Sequence, residues 1–219
     1  MKTKIVSLLL CVGLLFACNN TQKGAGIGAG GGAVLGGIIG AIAGNTAVGA
    51  VIGGAVGAGA GAIIGNRMDK AKKAAQQVQN AKVESVKDNN GLDAVKVSFD
   101  SGILFATGKA DLNASSQTSI TEIAKVLKEN SDMDIAIIGH TDNTGTDKVN
   151  NPLSVNRAKS VQNSLKQQGV TNIKRVEGQG STNPVADNAT EAGRKLNRRV
   201  EVYMYASKQM IDSANAQAK

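Results

Sequence analysis

Tryptophan is absent from this 219-residue chain, and only three phenylalanines and two tyrosines occur. No row of aromatic faces is available for bases to stack on, so a net charge of +8 does not by itself indicate nucleic acid. The pI near 9.5 suits an acidic polymer or an anionic membrane surface without choosing between them. One histidine excludes a multi-histidine metal centre, and two cysteines exclude a disulfide-rich scaffold. No GxSxG, P-loop or HExxH motif occurs, and no nucleophile–base pair or metal set can be assembled, so the expectation is a protein without catalysis and without cofactor. Glycine, in contrast, is abundant and unevenly placed: 27 residues, of which 17 fall between Gly24 and Gly65. Such a stretch supplies little side-chain volume, which excludes one core spanning the whole chain. A wholly disordered chain is excluded too, because 42% of residues are hydrophobic.

The N-terminus reads as a targeting segment. Lys2 and Lys4 precede an apolar run from Ile5 to Ala17 that is too short for a permanent membrane span. It ends in Leu15-Phe16-Ala17-Cys18, which resembles the lipobox of bacterial lipoproteins. That resemblance implies cleavage of residues 1–17 as a signal peptide, acylation of Cys18, and a short lipidated N-terminus over 18–23. The remaining chain carries a net +6 once Lys2 and Lys4 are lost, and its one cysteine holds lipid. Several acyl chains anchor durably, at roughly 0.8 kcal/mol per buried CH₂. The same resemblance implies the outer membrane, since Asn19 stands where an Asp would signal inner-membrane retention.

Residues 24–65 have a strict period. Glycine recurs at 28, 32, 36, 40 and 44, then at 49, 53, 57, 61 and 65, with Asn45-Thr46 as a polar break between the arms. Four-residue spacing places the glycines of each arm on one helix face, which lets helices approach closely in lipid. The pattern resembles glycine-zipper hairpins, and it predicts a membrane-associated helical hairpin. A flexible glycine–alanine spacer is the alternative, and homo-oligomer formation through the zipper is compatible with the hairpin. Residues 66–91 are polar and Lys-rich, and predict a helical linker closed by Asp88-Asn89-Asn90-Gly91.

From residue 92 to 205 the texture is that of an α/β-patterned domain. Val95, Val97 and Phe99 alternate as a half-buried strand. Ile120, Ile123, Ala124 and Leu127 have helical spacing. Residues 134–139 (DIAIIG) carry a continuous apolar run after Asp134, the mark of a central strand. Asn151-Pro152 predicts a helix start, with Ala158, Val161 and Leu165 on its core face and a stop at Gly169. A strand over 173–177 and one over 197–205 complete an α+β, two-layer β-α-β-α-β-β domain with a mixed sheet. Residues 206–219 read as a fraying tail. Gly145, Gly169 and Gly178 read as turn or cap glycines.

Within this domain, residues 139–145 (GHTDNTG), then Asn150, Leu153-Ser154, Arg157-Ala158 and Asn197-Arg198-Arg199-Val200 resemble the OmpA-like peptidoglycan-binding domain. The resemblance implies that Asp142 takes the ammonium and Arg157 the carboxylate of diaminopimelate in a peptidoglycan stem peptide. Thr141 and Asn150 would add neutral hydrogen bonds, Leu153 would wall the pocket, and Arg198 or Arg199, but not both, would flank it. A surface ion pair is the alternative reading of Asp142 and Arg157. His140 is expected to fix its loop by hydrogen bonds rather than to catalyse.

The expected function is a non-catalytic tether. Lipid at Cys18 and the hairpin hold the outer membrane, and the periplasmic C-terminal domain holds peptidoglycan, with no nucleic-acid partner. The alternative is a glycine-zipper lipoprotein whose main work is membrane remodelling or oligomerisation, and a cell-wall hydrolase ranks below both.

Overall fold

A computed structural model describes residues 56–88, 91–106, 108–114 and 116–219. Its elements are α1 (Ala58–Ala75), β1 (Ala81–Lys87), β2 (Asp93–Asp100), α2 (Ser101–Leu104), α3 (Ser116–Glu129), β3 (Met133–Gly139), α4 (Asp147–Gln167), β4 (Ile173–Gly178), α5 (Glu191–Asn197), β5 (Arg199–Ala206) and α6 (Lys208–Gln217). The strands form one sheet in the order β1-β2-β5-β3-β4. Only β3 and β4 are parallel; the other neighbours are antiparallel. The architecture is α+β with a mixed sheet.

Strand alternation builds the core. Val97 and Phe99 of β2, Val202 and Met204 of β5, and Ile135 and Ile137 of β3 point to one face. There they pack with Ile120, Ile123 and Leu127 of α3 and with Ala158, Val161 and Leu165 of α4. The alternate residues Ala94, Ala136, Ile138 and Tyr203 form a smaller apolar cluster on the opposite face. That face also carries a carboxylate, Glu201, which is fully buried.

Three expectations need correction. The helical linker over 66–91 is not one element: helix ends at Ala75, and Ala81–Lys87 is a strand. β1 pairs with β2 along its whole length, from Ala81↔Phe99 to Lys87↔Asp93. This covers an otherwise bare β2 edge, so backbone pairing outweighs the weak helical preference of a polar segment. Residues 206–219 are not a tail. Ser207 caps α6 by accepting from the Met210 N–H, and Met210, Ile211 and Ala214 are buried. The last turns of the expected hairpin belong to the domain instead: Ala60, Ile64, Met68, Ala71 and Ala75 form the buried stripe of α1. Gly59 lies so close to α6 that an added Cβ would sit 3.0 Å from the Ala218 Cβ. The rest of that hairpin, and the lipidation site Cys18, lie outside the described residues. Among the described residues, no helix is long and apolar enough to cross a membrane.

Two smaller differences concern the site. α4 begins at Asp147 with Thr146 as its N-cap, so Pro152 stands inside the helix rather than at its start. Gly145 and Gly169 do have positive φ, at 88° and 87°. Gly178 serves close approach instead: with Gly139 it lies under α4, where added Cβ atoms would meet the Val155 N at 2.2 Å and the Ser154 O at 2.1 Å. These two glycines let α4 seat directly on the ends of β3 and β4.

Candidate functional site

The seating of α4 sets the geometry of everything at this end of the sheet. β3 ends at Gly139, and the chain runs through His140, Thr141 and Asp142 before turning into α4. The turn is held from inside the helix. The Asn150 Nδ2 donates to the Thr144 O at 3.1 Å and to the Asp142 O at 3.4 Å. The Thr141 N–H donates to the Gly180 O at 2.8 Å, and the Gly180 N–H donates to the Ser154 Oγ at 3.0 Å. Loop 179–190 is folded around buried Asn197, whose side chain bonds the Val185 N–H, the Ala186 backbone and the Asn188 side chain. That loop presents α5, and α5 delivers Arg198.

Between these elements lies a cavity of about 750 Å³. All six residues expected at a binding site line it: Thr141, Asp142, Asn150, Leu153, Arg157 and Arg198. Sequence reasoning missed part of the wall, notably Phe105, Ser101, Glu191, Arg194 and Lys195. Glu191, Arg194, Lys195 and Arg198 stand at i, i+3, i+4 and i+7, a helix-face spacing that was present as a signal.

The charged groups differ sharply in how they are satisfied. The Asp142 Oδ2 accepts from the Arg198 NH1 at 2.6 Å, and its Oδ1 accepts from the Thr144 N–H at 2.8 Å. Burial alone would raise the Asp142 carboxyl, but Arg198 and Thr144 hold it below the ordinary range. Arg198 also donates to the Glu191 Oε1 at 2.7 Å, and Glu191 in turn accepts from Arg194 at 2.8 Å.

Arg157 has no such partner. It is 3% exposed, and among the described residues no carboxylate lies within 4.0 Å of it. Its Nε donates to the Lys109 O at 3.1 Å, and its guanidinium stacks 5.3 Å from the Phe105 ring centroid. Among the described residues no protein acceptor is bonded to its two terminal nitrogens. Burial pushes its pKa down, Arg198 adds to that, and Asp142 opposes both only through space. The Thr141 Oγ1 and the Ser101 Oγ are also buried without partners among the described residues. An arginine fork and unfilled hydroxyls in a roomy cavity can receive an oxyanion with further polar groups.

The remaining expected residues fall elsewhere. Arg199 points to the opposite sheet face, where its Nε donates to the Glu201 Oε1 at 2.7 Å. His140 is fully buried, with Nε2 3.2 Å from the Glu201 Oε2. Among the described residues no group of metal-ligating side chains is assembled.

Comparison with known proteins places these features. Residues 104–198 match the OmpA family, and residues 1–69 match the YMGG-like Gly-zipper, a match that runs into α1. The outer-membrane lipoprotein YfiB of Pseudomonas aeruginosa is 40% identical over 108 residues, 48% of this chain and 64% of that one. The peptidoglycan-binding protein ArfA of Mycobacterium tuberculosis is 43% identical over 102 residues, 46% of this chain and 31% of that one. The solved cell wall anchor of the T6SS from Pseudomonas aeruginosa is similar with a TM-score of 0.52 and 28% identity, covering 64% of this chain and 98% of that one. The chain spans between 31% and 64% of the length of the curated relatives it matches. Residues 104–198 are therefore an OmpA family domain, carried behind a segment of the YMGG-like Gly-zipper type.

Proposed function

We propose that this protein is a non-catalytic tether, held to the outer membrane by lipid at Cys18 and to the cell wall by its OmpA family domain. The wall ligand is the zwitterionic end of diaminopimelate in a peptidoglycan stem peptide. The observation that carries the reading is Arg157: a buried cation on a cavity wall with no carboxylate partner among the described residues. Leaving a charge desolvated and uncompensated is costly, so the site is built for an anion from outside the chain. The relatives named as a peptidoglycan-binding protein and a cell wall anchor support wall binding.

The ligand's carboxylate would take the Arg157 fork. Its ammonium would share Asp142 with Arg198, since each carboxylate oxygen has a second lone pair to offer. The Thr141 hydroxyl would bond the ligand, while the Asn150 amide nitrogen holds the loop. Arg157, Arg194, Lys195 and Arg198 line the cavity together with Asp100, Asp142 and Glu191, a net positive wall suited to an acidic peptide. Pulldown by diaminopimelate-type peptidoglycan tests this. Arg157→Ala and Asp142→Ala should each lose wall binding while the circular dichroism spectrum is kept; wild-type retention of both variants would remove the site.

A further inference from the structure

Of the six arginines in the chain, five have a carboxylate within ion-pair distance. Arg67 pairs with Asp132, Arg175 with Glu177, Arg194 with Glu191, Arg198 with Asp142 and Glu191, and Arg199 with Glu201. Arg157 is the exception, and it is also the most buried of the six at 3% exposure. No other part of the chain can supply its partner, because all 17 Asp and Glu residues lie among the described ones. The acid that acts on it through space, Asp142, directs its oxygens to Arg198 and Thr144. A second cation, Arg198, therefore stands in the same cavity with its own counter-charges, and Arg157 is left with none.

From this we infer that the cavity discriminates by the charge of the ligand's terminal carboxyl group: stem peptides with a free carboxylate there are accepted, those with a primary carboxamide are rejected, and Arg157 sets the difference. The inference rests on the proposed binding reading and narrows its substrate class. A guanidinium has donors only. A carboxylate meets its fork with two acceptor oxygens and one negative charge. A carboxamide of the same shape offers one acceptor, turns an N–H toward an N–H, and leaves the buried cation uncompensated. Phe105 and the Lys109 carbonyl fix the fork from behind, so the guanidinium cannot turn away to solvent to relieve the mismatch. Losing one partner of a desolvated charge pair weakens binding by roughly 30- to 5,000-fold.

The test is calorimetric titration of the full chain in detergent with L-Ala-γ-D-Glu-meso-diaminopimelate and with the same tripeptide carrying a carboxamide at the diaminopimelate carboxyl that shares its carbon with the free ammonium. The expected result is binding of the free acid and at least roughly 30-fold weaker binding of the amide. In Arg157→Gln, acid binding should fall toward that of the amide, so the ratio collapses. In Arg157→Lys, charge without the fork should preserve part of the ratio. Equal affinity for acid and amide in the wild type overturns the inference and leaves the wall-binding reading standing. Failure of both ligands to bind overturns the two together. A parallel loss of both affinities in Arg157→Gln, with the ratio unchanged, shows a merely structural arginine and overturns the assignment to Arg157.

Discussion

Two acidic side chains on this domain, Glu201 and Asp142, are both largely shielded from water, yet they stand in opposite situations. Glu201 is fully buried and accepts from three protein donors: the Arg199 Nε at 2.7 Å, the Tyr203 hydroxyl at 2.6 Å, and the His140 Nε2 at 3.2 Å. Burial would raise its carboxyl, but the His140 hydrogen bond and the Arg199 charge hold it far below the ordinary range. Its own two oxygens are matched, although the Nδ1 of neighbouring His140 has no partner among the described residues. Asp142 also has a low carboxyl and an arginine partner, but it lines a cavity beside a cation that lacks a counter-charge. Burial of charge alone does not identify a binding site. What identifies one is charge that the fold leaves unmatched on the wall of a cavity.

The contrast predicts where mutation should unfold the protein and where it should only silence it. Glu201→Ala would strand Arg199, Tyr203 and His140 in a buried setting and should cost about 3–5 kcal/mol of stability, read by urea unfolding. Equal stability in that variant would mean the buried cluster is not a unit. Asp142→Ala should behave in reverse: a stability loss of about 1 kcal/mol in the same urea series, set against loss of peptidoglycan pulldown. Were Asp142→Ala to unfold the domain as Glu201→Ala does, the distinction between the two acids would fail.

The same contrast extends to pH. Burial lowers the pKa of His140 against the opposing influence of Glu201, so the folded state keeps this ring neutral longer than the unfolded chain does. The unfolded state then binds more protons, and stability should begin to fall as pH drops through about 6.5, the ordinary histidine value. His140→Gln should flatten that part of a pH series of urea melts. Asp142 and Glu201, whose carboxyls are lowered, contribute stability that is present above the ordinary carboxylate range and lost only in more acidic solution. The smallest effect should come from Arg67→Ala. Its pair with Asp132 is 44% and 34% exposed, and its loss should change stability by less than about 1 kcal/mol.

Legibility followed the strength of local pattern. β3 was visible because residues 135–139 are continuously apolar, and β5 because Val200, Val202 and Met204 alternate. α3 was visible from the spacing of Ile120, Ile123, Ala124 and Leu127, all of which are buried. At the site, the residues after β3 and along α4 could be picked out by motif, and the structure brings all six to one cavity. The exclusive use of Arg198 and Arg199 followed from strand alternation. What could not be read was the pairing of Asp142 with Arg198, 56 positions apart, and hence that Arg157 would be the cation without a partner.

The elements that escaped local reading share one property: their stability comes from a partner distant in sequence. β1 carries Val83 and Val86 three apart and has no strand period of its own; β2 makes it a strand by pairing. α1 begins in a glycine-rich run that should make a poor helix in water, and it is stabilised by burying Ile64 and Met68 on the core and by meeting α6. α6 is a short polar helix with three buried residues, and α1 packs against it. The amino-acid order by itself determined the identity and face of the core strands and helices, because side-chain periodicity is local. The tertiary structure alone decided which charges neutralise one another and which segments complete the sheet, because both depend on contacts that long loops close.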